Sequence, residues 1–238
     1  MVKNFYIFRH GQSSYNLEGR IQGHTNNSVL TNQGIDEAHN AASLLQDKKI
    51  EIVVSSPLRR AKQTGSIVSK MIKVPLQYDD RFTEVNVGIA EGLHYTKAQQ
   101  KFGDLYRQWR SADPKYIDIH FENGESKRDV QKRIFKALNE YAQNPDYQNI
   151  AVSGHGITLS QTLMALNVEQ PDIPNGAIIH LQYDNDNNRE IRRLSQLIKN
   201  PRLRPGIFYY CNSKKLLSTP HNGQTQSSGR SSNGISPS

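Results

Sequence analysis

The sequence lacks several features that mark particular protein classes. Cys211 is the single cysteine among 238 residues, which excludes an internal disulfide framework and a cysteine-rich zinc site. No apolar run approaches the roughly 18 residues that a membrane-spanning helix needs. The first residues lack the long apolar stretch and the small-residue cleavage site of a signal peptide. We therefore expect a cytoplasmic protein.

Apolar residues are scarce, and positive charge is concentrated near the C-terminus. Apolar residues make up 35% of the chain, and its mean hydropathy is -0.71, so we expect part of it to lie outside any core. Residues 1–184 carry 21 Lys and Arg against 20 Asp and Glu, whereas residues 185–238 carry 9 against 2. A basic tail can bind nucleic acid or an anionic membrane. We favour a solvated extension, because its basic residues form no cluster longer than a pair.

Strand and helix patterns alternate along the first 198 residues. Apolar runs predict strands at 3–8, 51–55 and 149–153, with a closing pair at 177–183 and 190–197. Helical spacing predicts one helix capped by Thr31, with Ile35, Ala38, Ala42 and Leu45 on its apolar face. It predicts others at 57–71, 96–110, 126–141 and 156–166. This alternation predicts an α/β fold with a mostly parallel central sheet flanked by helices on both faces. Residues 199–238 form a basic, Ser/Gly/Asn-rich tail that we expect to be largely disordered.

Histidine or arginine follows each of the three apolar strands. Arg9 and His10 follow the first strand, Arg59 and Arg60 follow the second, and His155 follows the third. Ligands of open α/β sheets bind outside the carboxyl ends of the strands, so these side chains should converge. Arginine offers a planar fork for phosphate or carboxylate, and a helix N-terminus after His155 adds N–H donors. The sequence therefore predicts an anion site that contains imidazoles.

Five ordered motifs resemble the histidine phosphatase superfamily, also called phosphoglycerate mutase-like. They are RHGQSSYN at 9–16 with GRIQG at 19–23 and LTNQG at 30–34, SPLRRAKQT at 56–64, Glu84 with Glu91 and its flanking glycines, GES at 124–126, and VSGHG at 152–156. The resemblance spans about residues 3–197. It implies a phosphoglycerate mutase-like fold, with a catalytic domain over 1–198. The tail at 199–238 has no counterpart in this pattern.

The resemblance implies specific roles for eight residues. His10 would be the nucleophile that forms a phosphohistidine, and Glu84 would protonate the leaving oxygen and then take a proton from water. The register of the second motif selects Arg60 rather than Arg59 as a phosphate ligand, and only the register favours Glu84 over Glu91. The implied phosphate-binding residues are Arg9, Arg60, His155, Asn16, Gln22 and Gly23.

The implied activity is that of a phosphoric monoester hydrolase acting on a small phosphorylated substrate. No metal or other cofactor is implied, because arginine and histidine supply the positive charge. Gln22 stands where cofactor-dependent phosphoglycerate mutases carry a small hydroxyl residue, and no segment between Glu84 and His155 resembles their longer insertion. A mutase stays the alternative, as does a phosphatase-like binding protein that uses its basic tail. A homodimer is left open.

Aromatic and basic residues between 95 and 116 have two interpretations each. The aromatic residues belong either to a substrate pocket or to the core; they are Tyr95, Tyr106, Trp109 and Tyr116. The basic residues either meet a second anionic group of the substrate or are solvated; they are Lys97, Lys101, Arg107 and Arg110. We favour a core position for the aromatic residues and a solvated position for the basic residues, because residues at helical spacing more often lie there.

Overall fold

The computed structural model describes residues 2–168, 172–184 and 190–198, and these contain a six-stranded sheet. Its strands are β1 (Val2–Arg9), β2 (Ile52–Ser55), β3 (Leu76–Tyr78), β4 (Asn149–Gly154), β5 (Ile178–Asp184) and β6 (Glu190–Ile198). Their order across the sheet is β3-β2-β4-β1-β5-β6. The first four strands are parallel, whereas β5 runs antiparallel to β1 and β6 runs antiparallel to β5. The predicted mostly parallel sheet is confirmed.

Helices cover both faces of this sheet, as predicted. The helices are α1 (Ser14–Leu17), α2 (Asn32–Leu45), α3 (Arg59–Ile72), α4 (Tyr95–Arg110), α5 (Lys127–Gln143) and α6 (Gly156–Ala165). Successive side chains of a strand point to opposite faces. Phe5 and Ile7 of β1 accordingly share a core with residues of α4, α5 and α6. Tyr6 and Phe8 share the other core with residues of α2 and α3.

The face that α2 buries agrees with its apolar spacing at Ala38, Ala42 and Leu45 and differs from it at Ile35. Thr31 caps the helix as expected and accepts a hydrogen bond from the Gly34 N–H at 3.1 Å. Ile35, however, is 38% exposed, whereas Gly34 and Glu37 are buried. The reason is contact with the loop after β1: a Cβ on Gly34 would lie 2.0 Å from the Gln12 carbonyl oxygen. Glu37 accepts a hydrogen bond from the Gln12 N–H.

Two further boundaries differ from the sequence prediction. Helix α3 begins at Arg59, two residues after Pro57, because Leu58 keeps an extended backbone and donates its N–H to the Ser56 hydroxyl. The three-residue edge strand β3 has no apolar run long enough to predict it. The closing antiparallel pair is confirmed in β5 and β6, although the turn at 185–189 lies outside the described residues.

The register of the sheet aligns the three functional strand ends. Arg9 pairs with Gly154 and Ser55 pairs with Ser153. The next residues continue the pattern, because the His10 N–H donates to the Gly154 carbonyl and the Ser56 N–H donates to the Ser153 carbonyl, both at 3.0 Å. His10, Ser56 and His155 therefore emerge at one edge of the sheet.

The tail and its partners stay predictions. Residues 199–238 lie outside the described residues. The interpretations of the tail as a solvated, nucleic-acid-binding or membrane-binding segment are therefore untested. The division of the chain at residue 198 is likewise untested. Within the described part of the chain, no helix is long and apolar enough to cross a membrane.

Candidate active site

His10 is buried at the carboxyl end of β1, where the surrounding charges favour a neutral ring. Its side chain is 2% exposed. The His10 Nδ1 atom lies 2.7 Å from the Gly11 carbonyl oxygen, and the Arg60 Nε–H donates to His10 Nε2 at 3.3 Å. Burial, followed by the positive charges of Arg60 and Arg9, holds the pKa of His10 well below its usual range. A neutral imidazole with its Nε2 lone pair free of a proton can act as a nucleophile.

Arg60 joins His10 to the loop that follows α1. Its Nη1 donates to the Thr25 carbonyl at 3.0 Å, and its Nη2 donates to the Gly23 carbonyl at 2.8 Å. The side chain is 1% exposed. Burial lowers the pKa of Arg60 to about 10, with a further contribution from Arg9, while Glu84 acts in the opposite direction. Arg60 therefore stays a cation at neutral pH and is fixed in place by backbone oxygens.

Arg9 and His155 each present a buried nitrogen atom without a partner. Arg9 Nε and His155 Nδ1 have no hydrogen-bond acceptor or donor among the described residues. The other His155 nitrogen, Nε2, lies 2.8 Å from the Ser56 hydroxyl, and the His155 ring packs edge-on against His10 with centroids 5.2 Å apart. Buried polar atoms are nearly always satisfied in folded proteins. Two unsatisfied nitrogens around His10 are consistent with a site that is completed by an anionic ligand.

The Glu84 side chain lies against the N-terminus of α6 and lines the same cavity as His10. Its carboxylate accepts hydrogen bonds from the Ile157 and Thr158 N–H groups at 3.2 and 3.0 Å, and from the Thr158 hydroxyl at 3.1 Å. Its own carbonyl accepts a hydrogen bond from Arg133 Nη2 at 3.0 Å. Glu84 is thus held by side-chain and backbone contacts on both sides.

The structure separates Glu84 from Glu91, which sequence spacing alone does not. Glu91 accepts hydrogen bonds from the His24 N–H at 2.6 Å and from the Thr25 hydroxyl at 3.0 Å. It is absent from the residues that line the cavity. Glu91 therefore holds the loop that contains Gly23, whose φ of +51° and close contact with Glu91 leave no room for a Cβ.

Asn16 and Gln22 reach the cavity from α1 and the following loop. The Asn16 side-chain oxygen accepts hydrogen bonds from the Ser13 N–H at 3.1 Å and from Asn175 Nδ2 at 3.3 Å. The Ser13 hydroxyl lies within hydrogen-bond distance of the side-chain oxygens of Asn16 and Gln22. With their oxygens occupied, the amide N–H groups of Asn16 and Gln22 are available to a ligand.

The cavity that contains these groups has a volume of about 620 Å³. It is lined by six of the eight predicted site residues: Arg9, His10, Asn16, Gln22, Gly23 and Glu84. The other two, Arg60 and His155, are buried against His10. All eight are thus brought to one site. We call five of the charged or titratable residues here the histidine cluster: Arg9, His10, Arg60, His155 and Glu84.

The other residues that line the cavity show which of the aromatic and basic residues between 95 and 116 reach it. Tyr95, Trp109 and Arg110 line the cavity, although Trp109 also belongs to the core. Tyr106 packs in that core without lining the cavity, and Tyr116 lines no part of it. The favoured interpretation is confirmed for Lys97, Lys101 and Arg107, which are exposed away from the cavity. It is wrong for Tyr95, which is 42% exposed and lines the cavity instead of packing in the core. Arg110 is exposed, as favoured, and also lines the cavity.

Sequence reasoning missed several residues that shape the site. Asn175 donates from Nδ2 to the His10 carbonyl at 3.0 Å as well as to Asn16. Arg133 of α5 pairs with Glu125 and binds the Glu84 carbonyl. Lys127, the first residue of α5, lines the cavity. Only Glu125 lies in a motif, so the other contacts carry no local signal.

No metal is indicated by the side chains around the site. Across residues 2–168 and the described residues beyond them, no group of three or more His, Cys, Asp or Glu side chains could hold a metal ion. The positive charge at the site comes from arginine side chains.

Comparison with known proteins agrees with this arrangement. The family model of the histidine phosphatase superfamily (branch 1) matches residues 5–195. The chain is 34% identical over 158 residues to a protein of Hydrogenobacter thermophilus provisionally named phosphoserine phosphatase 2, covering 66% of this chain and 75% of that one. It is 29% identical over 154 residues to GpmB of Escherichia coli, provisionally named a phosphoglycerate mutase, covering 65% and 70% of the two chains.

Solved structures share the fold. A mycobacterial glucosyl-3-phosphoglycerate phosphatase, solved with VO3, matches this chain with a TM-score of 0.72 and 24% identity. The match covers 81% of this chain and 97% of that one. This likeness confirms the phosphoglycerate mutase-like fold.

Proposed function

The chain belongs to the histidine phosphatase superfamily (branch 1), and on this premise we propose that it hydrolyses phosphomonoesters through a phosphohistidine on His10, without a metal ion. The reaction class, hydrolysis of a phosphoric monoester, agrees with relatives that are named as phosphatases. The observation that carries the proposal is the environment of His10: a neutral buried imidazole whose Nε2 lies 3.3 Å from Arg60 Nε.

In the first step, His10 Nε2 attacks the phosphorus atom while the bond from phosphorus to the ester oxygen breaks. The Nδ1–H of His10 donates to the Gly11 carbonyl, which stabilises the positive charge that the ring acquires. Glu84 gives its proton to the departing oxygen, so that the leaving group is an alcohol. Arg9, Arg60 and the unpartnered Nδ1 of His155 bind the phosphoryl oxygens as charge develops on them.

In the second step, water attacks the phosphorus atom and the bond from phosphorus to Nε2 breaks. Glu84, now a carboxylate, takes the proton of the attacking water and is thereby ready for the next cycle. Inorganic phosphate leaves, and His10 returns to its neutral form. Asn16, Gln22 and Gly23 border the phosphoryl group in both steps.

The proposal is tested by phosphate release and by trapping the intermediate. We expect p-nitrophenyl phosphate or O-phosphoserine to be hydrolysed in the presence of a chelator, and intact mass after quenching into alkali to show one added phosphoryl group. His10→Ala should lose the added mass and lower kcat/KM by about ten-thousandfold or more. His39→Ala, an exposed histidine outside the site, is the matched control. Hydrolysis that survives in His10→Ala, or that a chelator abolishes, would overturn the mechanism.

A phosphoglycerate mutase is the second candidate, supported by the provisional name of the E. coli relative. The same phosphohistidine could return its phosphoryl group to another hydroxyl instead of to water. Supplying 3-phosphoglycerate together with a bisphosphoglycerate primer separates the two activities. Phosphate release that exceeds isomerisation supports a phosphatase, and the reverse result supports a mutase.

A further inference from the structure

Lys127 occupies an energetically unfavourable position in the cavity wall. It is the first residue of α5 and is only 7% exposed. Burial of a cation is costly unless an anion pairs with it. The positive end of a helix dipole lies at its N-terminus, so the first turn disfavours a cation further. A buried lysine at the start of a helix therefore calls for a compensating partner.

The protein itself supplies little compensation. Lys127 Nζ donates to the Ser111 carbonyl at 2.6 Å, and no carboxylate forms an ion pair with it among the described residues. The acidic residue of the same helical turn, Asp129, is engaged by Ser126 and Lys132 instead. Burial, together with the positive charge of Arg110, lowers the pKa of Lys127 to about 8.

Arg110 adds a second cation beside Lys127. It is the last residue of α4, lines the same cavity and forms no ion pair among the described residues. Ser111, which follows it, also lines the cavity. We call Lys127, Arg110 and Ser111 the lysine cluster. The carboxylates that line the same cavity, Glu84 and Asp172, act on the pKa of Arg9. Two cations without a carboxylate partner, on the wall of a concave site, form a surface that attracts an anion.

The lysine cluster is distinct from the histidine cluster. Burial and the charges of Arg60 and Arg9 lower the pKa of His10, whereas burial and the charge of Arg110 lower the pKa of Lys127. Both clusters nevertheless contribute to the one cavity of about 620 Å³. A substrate whose phosphoryl group lies at His10 can therefore present another group to Lys127.

We propose that Lys127 and Arg110 bind a second anionic group of the substrate, and that the enzyme acts on small phosphomonoesters that carry a carboxylate or a second phosphate. The inference rests on the proposed phosphatase function and adds its substrate class. Arg110 offers a planar fork and Lys127 a point charge, so both kinds of anion are accommodated.

Matched pairs of esters test this inference. O-Phosphoserine and O-phosphoethanolamine differ only by a carboxylate, while propane-1,3-diyl bisphosphate and 3-hydroxypropyl phosphate differ only by a phosphate. We expect the wild type to prefer the anionic member of at least one pair by about ten- to a hundredfold in kcat/KM. The pair that shows the preference identifies the anion.

Variants assign the preference to the lysine cluster. Lys127→Met and Arg110→Met should each lower the ratio of kcat/KM within the preferred pair toward one. Lys136→Met, an exposed lysine of α5, and Arg107→Met, an exposed arginine of α4, should keep the wild-type ratio. Because Arg110 is exposed, its replacement tests the inference even if Lys127→Met folds poorly.

Three results would overturn the inference and are distinguishable from one another. Efficient hydrolysis with equal kcat/KM within both pairs would refute the anion subsite and leave the phosphatase function intact. A lack of phosphate release from every ester, p-nitrophenyl phosphate included, would refute the proposed function and this inference with it. A preference that both lysine-cluster variants retain would place the anion elsewhere in the cavity.

Discussion

The histidine cluster and the lysine cluster serve one cavity, yet their charges are balanced differently. In the histidine cluster, the carboxylate of Glu84 acts on the pKa values of Arg9 and Arg60 and partly offsets their burial. In the lysine cluster, Lys127 has a single carbonyl partner and a second cation beside it. The histidine cluster contains the groups that carry out the reaction. The positive charge of the lysine cluster is neutralised only when an anionic ligand binds. Changes in the first should slow every ester, and changes in the second should alter the choice between esters.

After the loss of His10 itself, the largest effect should come from replacing the proposed proton donor in the histidine cluster. Glu84→Gln is expected to lower kcat/KM for an alkyl phosphate by about a hundredfold to ten-thousandfold. It should lower kcat/KM for p-nitrophenyl phosphate much less, because p-nitrophenolate leaves without a proton. Steady-state kinetics with both esters measures the difference.

Glu91→Gln is the matched control for this prediction. Glu91 holds the backbone of the loop at His24 and the hydroxyl of Thr25, so its loss should affect both esters by the same factor. If the dependence on the leaving group appeared in Glu91→Gln and not in Glu84→Gln, the assignment of the proton donor would be wrong.

A slightly smaller effect is expected from Arg60→Gln. Removing one charged donor to the phosphoryl oxygens should lower kcat/KM by about a hundredfold to a thousandfold, and equally within the paired esters. Arg60 also lowers the pKa of His10, so the acid limb of the pH profile of kcat/KM should move to higher pH. Arg59→Gln, which changes an exposed neighbour, should show neither effect. A changed preference within the pairs would show that the two clusters are not independent.

A tenfold effect is expected at Ser56, a positioning residue behind His155. Its hydroxyl accepts the Leu58 N–H, so its own hydrogen is free to reach His155 Nε2. The hydrogen of the ring is then on Nδ1, where it can bind a phosphoryl oxygen. Ser56→Ala should lower kcat/KM by about tenfold, and Ser56→Thr should restore most of the loss. Equal activity of the alanine and threonine variants, with unchanged thermal stability, would contradict this role.

The smallest effect should be the pH dependence of substrate preference. Lysine is a cation below its pKa, so the preference for phosphoserine over phosphoethanolamine should fall as the pH rises through about 8. Arg110 acts directly on Lys127, and the other charged or titratable residues lining the cavity are Arg9, His10, Arg20, Glu84, Tyr95 and Asp172. Lys127→Met should make the ratio independent of pH in this range. A decline that persists in Lys127→Met would assign the titration to one of those groups.

The two clusters also differ in how far the sequence predicts them. Each functional residue of the histidine cluster other than Glu84 lies within five residues of a strand end, and short apolar strands are visible in the sequence. Parallel pairing then brings His10 and His155 together without further information. The strand ends alone predict that Arg9, His10, His155 and one of Arg59 and Arg60 converge. The choice of Arg60 and the roles of Glu84, Asn16, Gln22 and Gly23 follow only from the resemblance to the family.

The lysine cluster depends on contacts that have no local pattern. Lys127 and Arg110 are ordinary charged residues at helix ends, and their proximity depends on how the segment between α4 and α5 folds back. The same limit applies to α2, where burial of Gly34 and Glu37 follows from contact with the loop after β1. Periodicity predicts that a helix has a buried face, but the segment that packs against the helix determines which residues lie on that face.

Helix α6 contacts both the proposed proton donor and the wall of the substrate cavity. Its first turn holds the Glu84 carboxylate, and its next turns supply Ser160, Gln161 and Met164 to the cavity wall. The helix therefore contacts the proton donor through its first turn and the substrate cavity through the turns that follow. An ester that displaces the wall would also displace the donor, so a poor fit should lower turnover rather than affinity.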